Sequence, residues 1–248
     1  VTARDVPLHE TLEFIAPRLR KGARVLEVGA GGCELAAKLA WRGVRMTALD
    51  LEIPNELSPI QNLDTVQKDF LDFSVSDPKD RFDAILFTRS LHHIAPLERA
   101  LDRALEVLAP GGLFVAEEFS LEAPDRPTLR GYYDAMDLLS SAGLIDQREH
   151  AHEHAHANAE DVLERWRVDH DEDPPLNTGA HMMAEVAARF DAIEVMTCPY
   201  LYRTLAERLD DAERGEAIAR HLFAIENQRI DRGEIRPVGL RICAHKRR

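Results

Sequence analysis

The chain has 248 residues, 45% of them hydrophobic and 30% charged, with a formal net charge of −13 at pH 7. That is enough apolar material for a full core, which excludes intrinsic disorder, and no apolar run reaches the length of a membrane span. A surface this acidic repels phosphate backbones, so a small molecule is the expected partner and nucleic acid is not.

The tail His245, Lys246, Arg247, Arg248 is the one dense basic run and reads as a short solvated end. The first residues do not lead into a signal-peptide core. Three widely spaced cysteines, Cys33, Cys198 and Cys243, make no disulfide framework and predict a cytoplasmic location.

In chain order, residues 9–20 carry Leu12, Ile15, Ala16 and Leu19 at helical spacing. Residues 24–28 form a short apolar strand, 29–32 a glycine-rich turn, and 34–41 a helix ended by Arg42 and Gly43. Strands follow at 44–49, 64–68 and 82–87. A helix over 97–108 is stopped by Pro110, Gly111 and Gly112, and a fifth strand covers 113–118. Strands separated by helices in this rhythm predict a parallel sheet covered on both faces, with any ligand site along the C-terminal edge of the strands.

After Phe119 the composition changes. Residues 121–178 are polar and rich in His, Pro and Asp, and they predict a helical cap inserted into a single domain spanning 1–248, with helices over 127–141 and 159–168. The alternation then resumes with a helix at 180–190, a strand at 193–201, a largely helical stretch at 204–232 and a last strand at 238–244. Apolar faces after residue 180 offer a surface for pairing in a homodimer.

The chemistry centres on Glu27-Val28-Gly29-Ala30-Gly31. Glycines let the backbone turn sharply and let a ligand lie against bare main chain, and the helix N-terminus adds unpaired N–H donors. A third glycine, which a dinucleotide site would want, is replaced by Glu34, and Glu27 sits inside the strand. Both carboxylates oppose a diphosphate, and hence an NAD dehydrogenase, and suit a ligand carrying an ammonium group. Asp50 ends the second strand, where a carboxylate can accept bonds from both ribose hydroxyls. Asp69 and Phe70 follow the third strand and could bond and pack on an adenine.

With Ser90-Leu91-His92-His93-Ile94 and the later Pro110-Gly111-Gly112, these segments make residues 22–118 resemble class I, Rossmann-like methyltransferases of the branch that acts on small molecules. The resemblance implies a doubly wound α/β sheet of about seven mostly parallel strands, the last antiparallel, with S-adenosylmethionine as methyl donor and S-adenosylhomocysteine as product. It implies that Glu27, Gly29 and Gly31 line the methionine end. Asp50, with Leu51 beside it, would meet the ribose, Asp69 and Phe70 the adenine, and Arg89 and Ser90 the methionine and the acceptor. The family's usual third glycine is Cys33 here.

Methyl transfer needs alignment and removal of an acceptor proton. His92 and His93 stand where a general base belongs, His93 the more so, with His92 read mainly as structural. The acceptor is expected between His93 and the cap. Of Glu117 and Glu118, adjacent on a strand, one should point to the site and the other away. Tyr132 and Tyr133 read as packing residues.

The segment with His150, His152, His154 and His156 has the spacing of a metal site, to which His170, Asp171, Asp173 and His181 could add, but it is expected to be a solvated linker with no metal. Two other functions keep some support from the residues: a non-methylating reaction on the same cofactor site, and a metal-binding or regulatory role for the histidine segment.

Overall fold

The computed structural model describes residues 2–56, 58–145, 161–209 and 214–247. Its strands are β1 (Arg24–Val28), β2 (Arg45–Asp50), β3 (Leu63–Gln67), β4 (Phe82–Thr88), β5 (Leu108–Phe119), β6 (Asp191–Cys198) and β7 (Gly239–His245). The helices are α1 (Asp5–Ile15), α2 (Glu34–Trp41), α3 (Leu97–Val107), α4 (Arg126–Ser141), α5 (Val162–Asp169), α6 (Gly179–Arg189), α7 (Leu201–Glu207) and α8 (Gly215–Asp231). They fall into two compact units.

The first unit comprises Glu10–Phe119, Asn177–Met196 and Leu240–Arg248 and holds most of the sheet. The strand order is β3-β2-β1-β4-β5-β7-β6, and β3, β2, β1, β4 and β5 pair in parallel. Its central strands β1 and β4 are buried on both faces, which is why they read as nearly continuous apolar runs. Leu26, Ile85, Phe87, Phe114, Leu101 and Val186 sit in one core cluster. Each fully buried side chain of this kind contributes about 1.5–3 kcal/mol.

The direction of β7 follows from its bonds to β5. The Lys246 amide donates to Gly112 O at 2.9 Å and the Ser120 amide to Val238 O at 2.8 Å, a crossed pairing that only antiparallel strands make. The strand order reverses direction between β1 and β4, so the turns after those two strands flank the crevice where such sheets bind ligands.

Several boundaries differ from the sequence reading; the first helix, for one, runs over Asp5–Ile15 rather than 9–20. The Pro110-Gly111-Gly112 stop lies inside β5, which starts at Leu108, because the Lys246 amide pairs with Gly112. Lys246 Nζ, just past β7, also donates to Leu105 O near the end of α3 at 2.5 Å and to the C-cap Leu108 O at 2.8 Å, so the helix end is capped by a distant side chain. The strand expected to reach residue 201 ends at Cys198, since the buried carboxylate of Glu226 captures the amides of Tyr200, Leu201 and Tyr202 at 2.7, 3.1 and 2.7 Å and starts α7 there. The helical stretch at 204–232 is two helices.

The second unit comprises Val1–His9, Ser120–Leu176 and Thr197–Gly239, so the residues expected as a cap share it with the N-terminal segment, α7 and α8. Asp125 caps α4 through the Thr128 amide at 3.1 Å, and Asp161 caps α5 through the Leu163 amide at 3.1 Å. Tyr133 donates its hydroxyl to Asp169 Oδ2 at 2.7 Å, under the guanidinium of Arg165, and Trp166 Nε1 donates to Leu121 O at 2.9 Å. Tyr133 is thus a packing residue with a satisfied polar end.

Candidate active site

The glycine turn after β1 is held from two sides. Gly29 has φ +73°, and a Cβ built on it would lie 2.4 Å from Ser90 Cβ, so no side chain fits. Gly31 has φ +50°, with nothing within 4 Å of where its Cβ would be among the described residues, which leaves bare main chain facing open space. Cys33, the departure from the expected third glycine, is fully buried with φ 65° at the start of α2. A non-glycine residue in that region carries roughly 1–2 kcal/mol of strain.

Glu27 is 2% exposed. Its Oε1 accepts the Thr88 hydroxyl at 3.1 Å, and its Oε2 has no hydrogen-bond partner among the described residues. Burial pushes its pKa from 4.5 up to about 8. The Thr88 hydroxyl, and the Ala36 amide lying outside good hydrogen-bond geometry, pull it partly back, while the charges of Glu34 and Asp50 add to the rise. The same three carboxylates, after burial itself, help hold the Cys33 thiol up at about 11. Burial thus holds Glu27 largely neutral until a cation arrives, while the charges of Glu34 and Asp50 beside it favour that cation.

Asp50 braces the turn: its Oδ2 accepts the Gly31 amide at 2.8 Å and its Oδ1 the Glu52 amide at 3.1 Å. A carboxylate has about four acceptor positions, so about two stay open for hydroxyl donors among the described residues. Leu51, next to it, is a large apolar side chain left 66% exposed. Asp69 accepts the Leu71 amide at 2.8 Å and is itself exposed. Phe70 is different: its ring is 3% exposed and packs edge-on against Phe87 at 5.5 Å, inside the core. What Phe70 can offer an adenine is therefore its backbone, not its ring face.

The loop after β4 carries Arg89, Ser90, His92 and His93. Arg89 is exposed with φ 59°, and its amide is tied to Glu117 O at 2.8 Å. Ser90 Oγ donates to Val28 O at 2.6 Å and is buried, so this side chain is committed to the glycine turn. His92 is 4% exposed; its Nδ1 meets Glu118 Oε2, and its ring packs edge-on against Phe119 at 4.8 Å. These contacts tie His92 to the end of β5. His93 is exposed, with its ring centroid 4.1 Å from that of His92.

The alternation along β5 appears as expected. Glu118 turns toward this loop, and Glu117 turns to the other face, accepting from Thr11 Oγ1 at 2.7 Å and Arg241 Nε at 2.8 Å. Thr88 as a partner of Glu27, and the extent of the Glu118 contacts, were not read from the sequence.

The segment at 150–156 lies outside the described residues. Of the residues that could add ligands, His170 Nδ1 faces Trp166 O at 2.9 Å, and His181 Nε2 lies 3.7 Å from Glu98 Oε1. No helix is long and apolar enough to cross a membrane among the described residues.

A family profile described as a methyltransferase domain matches residues 2–172. The chain belongs to this methyltransferase-domain family. Two curated relatives share sequence with it. A demethylmenaquinone methyltransferase from Clavibacter sepedonicus is 34% identical over 119 residues, covering 46% of this chain and 47% of the relative. A ubiquinone biosynthesis O-methyltransferase from Xylella fastidiosa strain M23 is 33% identical over 123 residues, covering 44% and 50%. The chain thus spans about half the length of the curated relatives it matches.

Among solved structures, the fold is similar to 1,6-didemethyltoxoflavin-N1-methyltransferase from Burkholderia thailandensis, solved with 1,6-didemethyltoxoflavin and S-adenosylhomocysteine. The TM-score is 0.55 at 17% identity, over 97% of this chain and 78% of that one.

Proposed function

We propose that the chain is an S-adenosylmethionine-dependent methyltransferase that moves a methyl group to an O, N or C atom of a small-molecule acceptor. The observation that carries this reading is the orphaned, buried carboxylate oxygen of Glu27 at a bare glycine turn, beside Glu34 and Asp50. This set fits the donor: an ammonium and a sulfonium are both cations, whereas a diphosphate would meet the charges of Glu34 and Asp50 and gain nothing from Glu27. The names of the curated relatives support the same chemistry.

When bound, the cofactor supplies an already activated methyl group. The chain's residues hold and align. Glu27 accepts from the ligand's ammonium, Gly29 and Gly31 leave room for its methionine end, and Asp50 accepts from ribose hydroxyls. Leu51 lies beside Asp50 at the ribose, Asp69 borders the adenine, and Arg89 and Ser90 flank the methionine end. His93 takes the acceptor proton, with His92 behind it. The acidic net charge supports a small molecule over nucleic acid. The unbridged cysteines support a reducing, cytoplasmic setting. Ile193 and Val195, exposed on edge strand β6, support pairing in a homodimer.

The test is calorimetric titration with S-adenosylhomocysteine, wild type against Asp50→Ala, followed by labelled methyl transfer to a panel that includes hydroxylated aromatics. Micromolar binding lost in the variant, followed by transfer, is expected. A folded wild type that binds nothing would remove the reading.

A further inference from the structure

Glu118 has no solvent exposure, and its side-chain hydrogen bonds among the described residues run to one loop. Its Oε1 accepts the amides of Ser90 at 3.0 Å and Leu91 at 2.8 Å, and its Oε2 meets His92 Nδ1. A single carboxylate thereby fixes three consecutive residues after β4. The loop transmits that position in two directions. Ser90 Oγ bonds Val28 O at 2.6 Å, and its Cβ fills the space a side chain on Gly29 would need, so Ser90 bears on the glycine turn. His92, held by its Nδ1, packs against His93 with ring centroids 4.1 Å apart and the rings tilted by 43°, so a shift of His92 is felt by His93. Asn177 braces the same loop from outside, through Leu91 O, Ile94 O and its own amide to His92 O.

We propose that Glu118 is a positioning residue for the proposed methyl transfer: it touches neither cofactor nor acceptor, but sets the glycine turn through Ser90 and the base His93 through His92. This rests on the cofactor reading given above. Buried charge alone does not explain the arrangement. Glu117, its neighbour, is equally buried and equally well bonded, but ties Thr11 and Arg241 instead. The two residues form a matched pair: one serves the loop and the other the frame.

The pair supplies the experiment. Glu118→Gln and Glu117→Gln are compared with wild type for S-adenosylhomocysteine affinity by calorimetry and for melting temperature by circular dichroism. Nitrogen-edited NMR of the His92 imidazole supplies a third readout. E118Q is expected to weaken binding by about tenfold or more, since small displacements of a positioned group are costly. It should also shift His92 away from the Nδ1–H tautomer. E117Q is expected to lower the melting temperature with less than about a twofold change in affinity.

Should E118Q fail to fold, Glu118→Asp keeps the charge on a shorter arm and gives the same comparison. A folded E118Q that binds like wild type would overturn the inference alone. Equal weakening by E117Q would also overturn it, by making the effect one of general stability. A wild type that does not bind removes the function, and this inference with it.

Discussion

Glu27 offers a quantitative test, because its protonation state should change when a cation arrives. With a pKa of about 8 in the ligand-free protein, the carboxyl is about 90% protonated at pH 7. A bound ammonium favours the ionised form and expels the proton, so about 0.9 proton should leave per S-adenosylhomocysteine bound at that pH. Calorimetry in phosphate and in Tris, whose ionisation enthalpies differ widely, reads this number as the slope of apparent enthalpy on buffer enthalpy. Affinity should rise by up to about tenfold per pH unit between roughly pH 6 and 7.5, and Glu27→Gln should abolish both effects.

Stability should move in the opposite direction. The folded pKa lies above the unfolded value of 4.5, so folding takes up a proton between these two pH values. Stability of the ligand-free protein is then highest below about pH 4.5 as far as this group is concerned, falls as pH rises, and has lost its full share above about pH 8. At 1.36 kcal/mol per pH unit, the total is at most about 5 kcal/mol. A binding enthalpy independent of buffer in the wild type would refute the assignment of Glu27 as the ammonium's partner.

Three other outcomes are expected. Gly29→Ala should cost about 3 kcal/mol or more in urea denaturation and abolish cofactor binding, because its Cβ would collide with Ser90; Gly31→Ala, with open space around it, should cost only the roughly 1–2 kcal/mol of its positive φ. Asp50→Ala frees the Gly31 amide and removes the proposed ribose acceptor, and should weaken S-adenosylhomocysteine by at least about tenfold in titration. Tyr133→Phe removes the donor to Oδ2 of Asp169, a carboxylate whose Oδ1 has no hydrogen-bond partner among the described residues, and should cost about 1–3 kcal/mol in equilibrium unfolding.

The helix over residues 34–41 and the strand over 24–28 match their sequence reading because each carries its own signal, apolar runs bounded by glycine turns. Glu27, Gly29, Gly31 and Asp50 come together because short crossovers in a parallel sheet bring the ends of β1 and β2 side by side. Features set by distant partners were not legible. Nothing local in Cys198 to Leu201 announces that Glu226, 25 residues beyond Leu201, will start a helix there. Phe70 reads as an adenine platform by its neighbour Asp69, but the nearby ring of Phe87 draws it into the core. Sequence alternation on β5 tells that Glu117 and Glu118 diverge, but not that one of them gathers three loop residues.

The interlock of Gly29 with Ser90 also bears on how such a site can evolve. Two loops from neighbouring strands share one small volume, so neither is free to vary alone. A larger residue at position 29, strained by its φ of +73° in any case, could find room only after position 90 had shrunk, and the lost hydroxyl would then leave Val28 O to find another donor. Substitutions at these two positions should therefore be strongly epistatic. Loops grafted from a relative would have to be moved as a pair if the turn is to keep its shape.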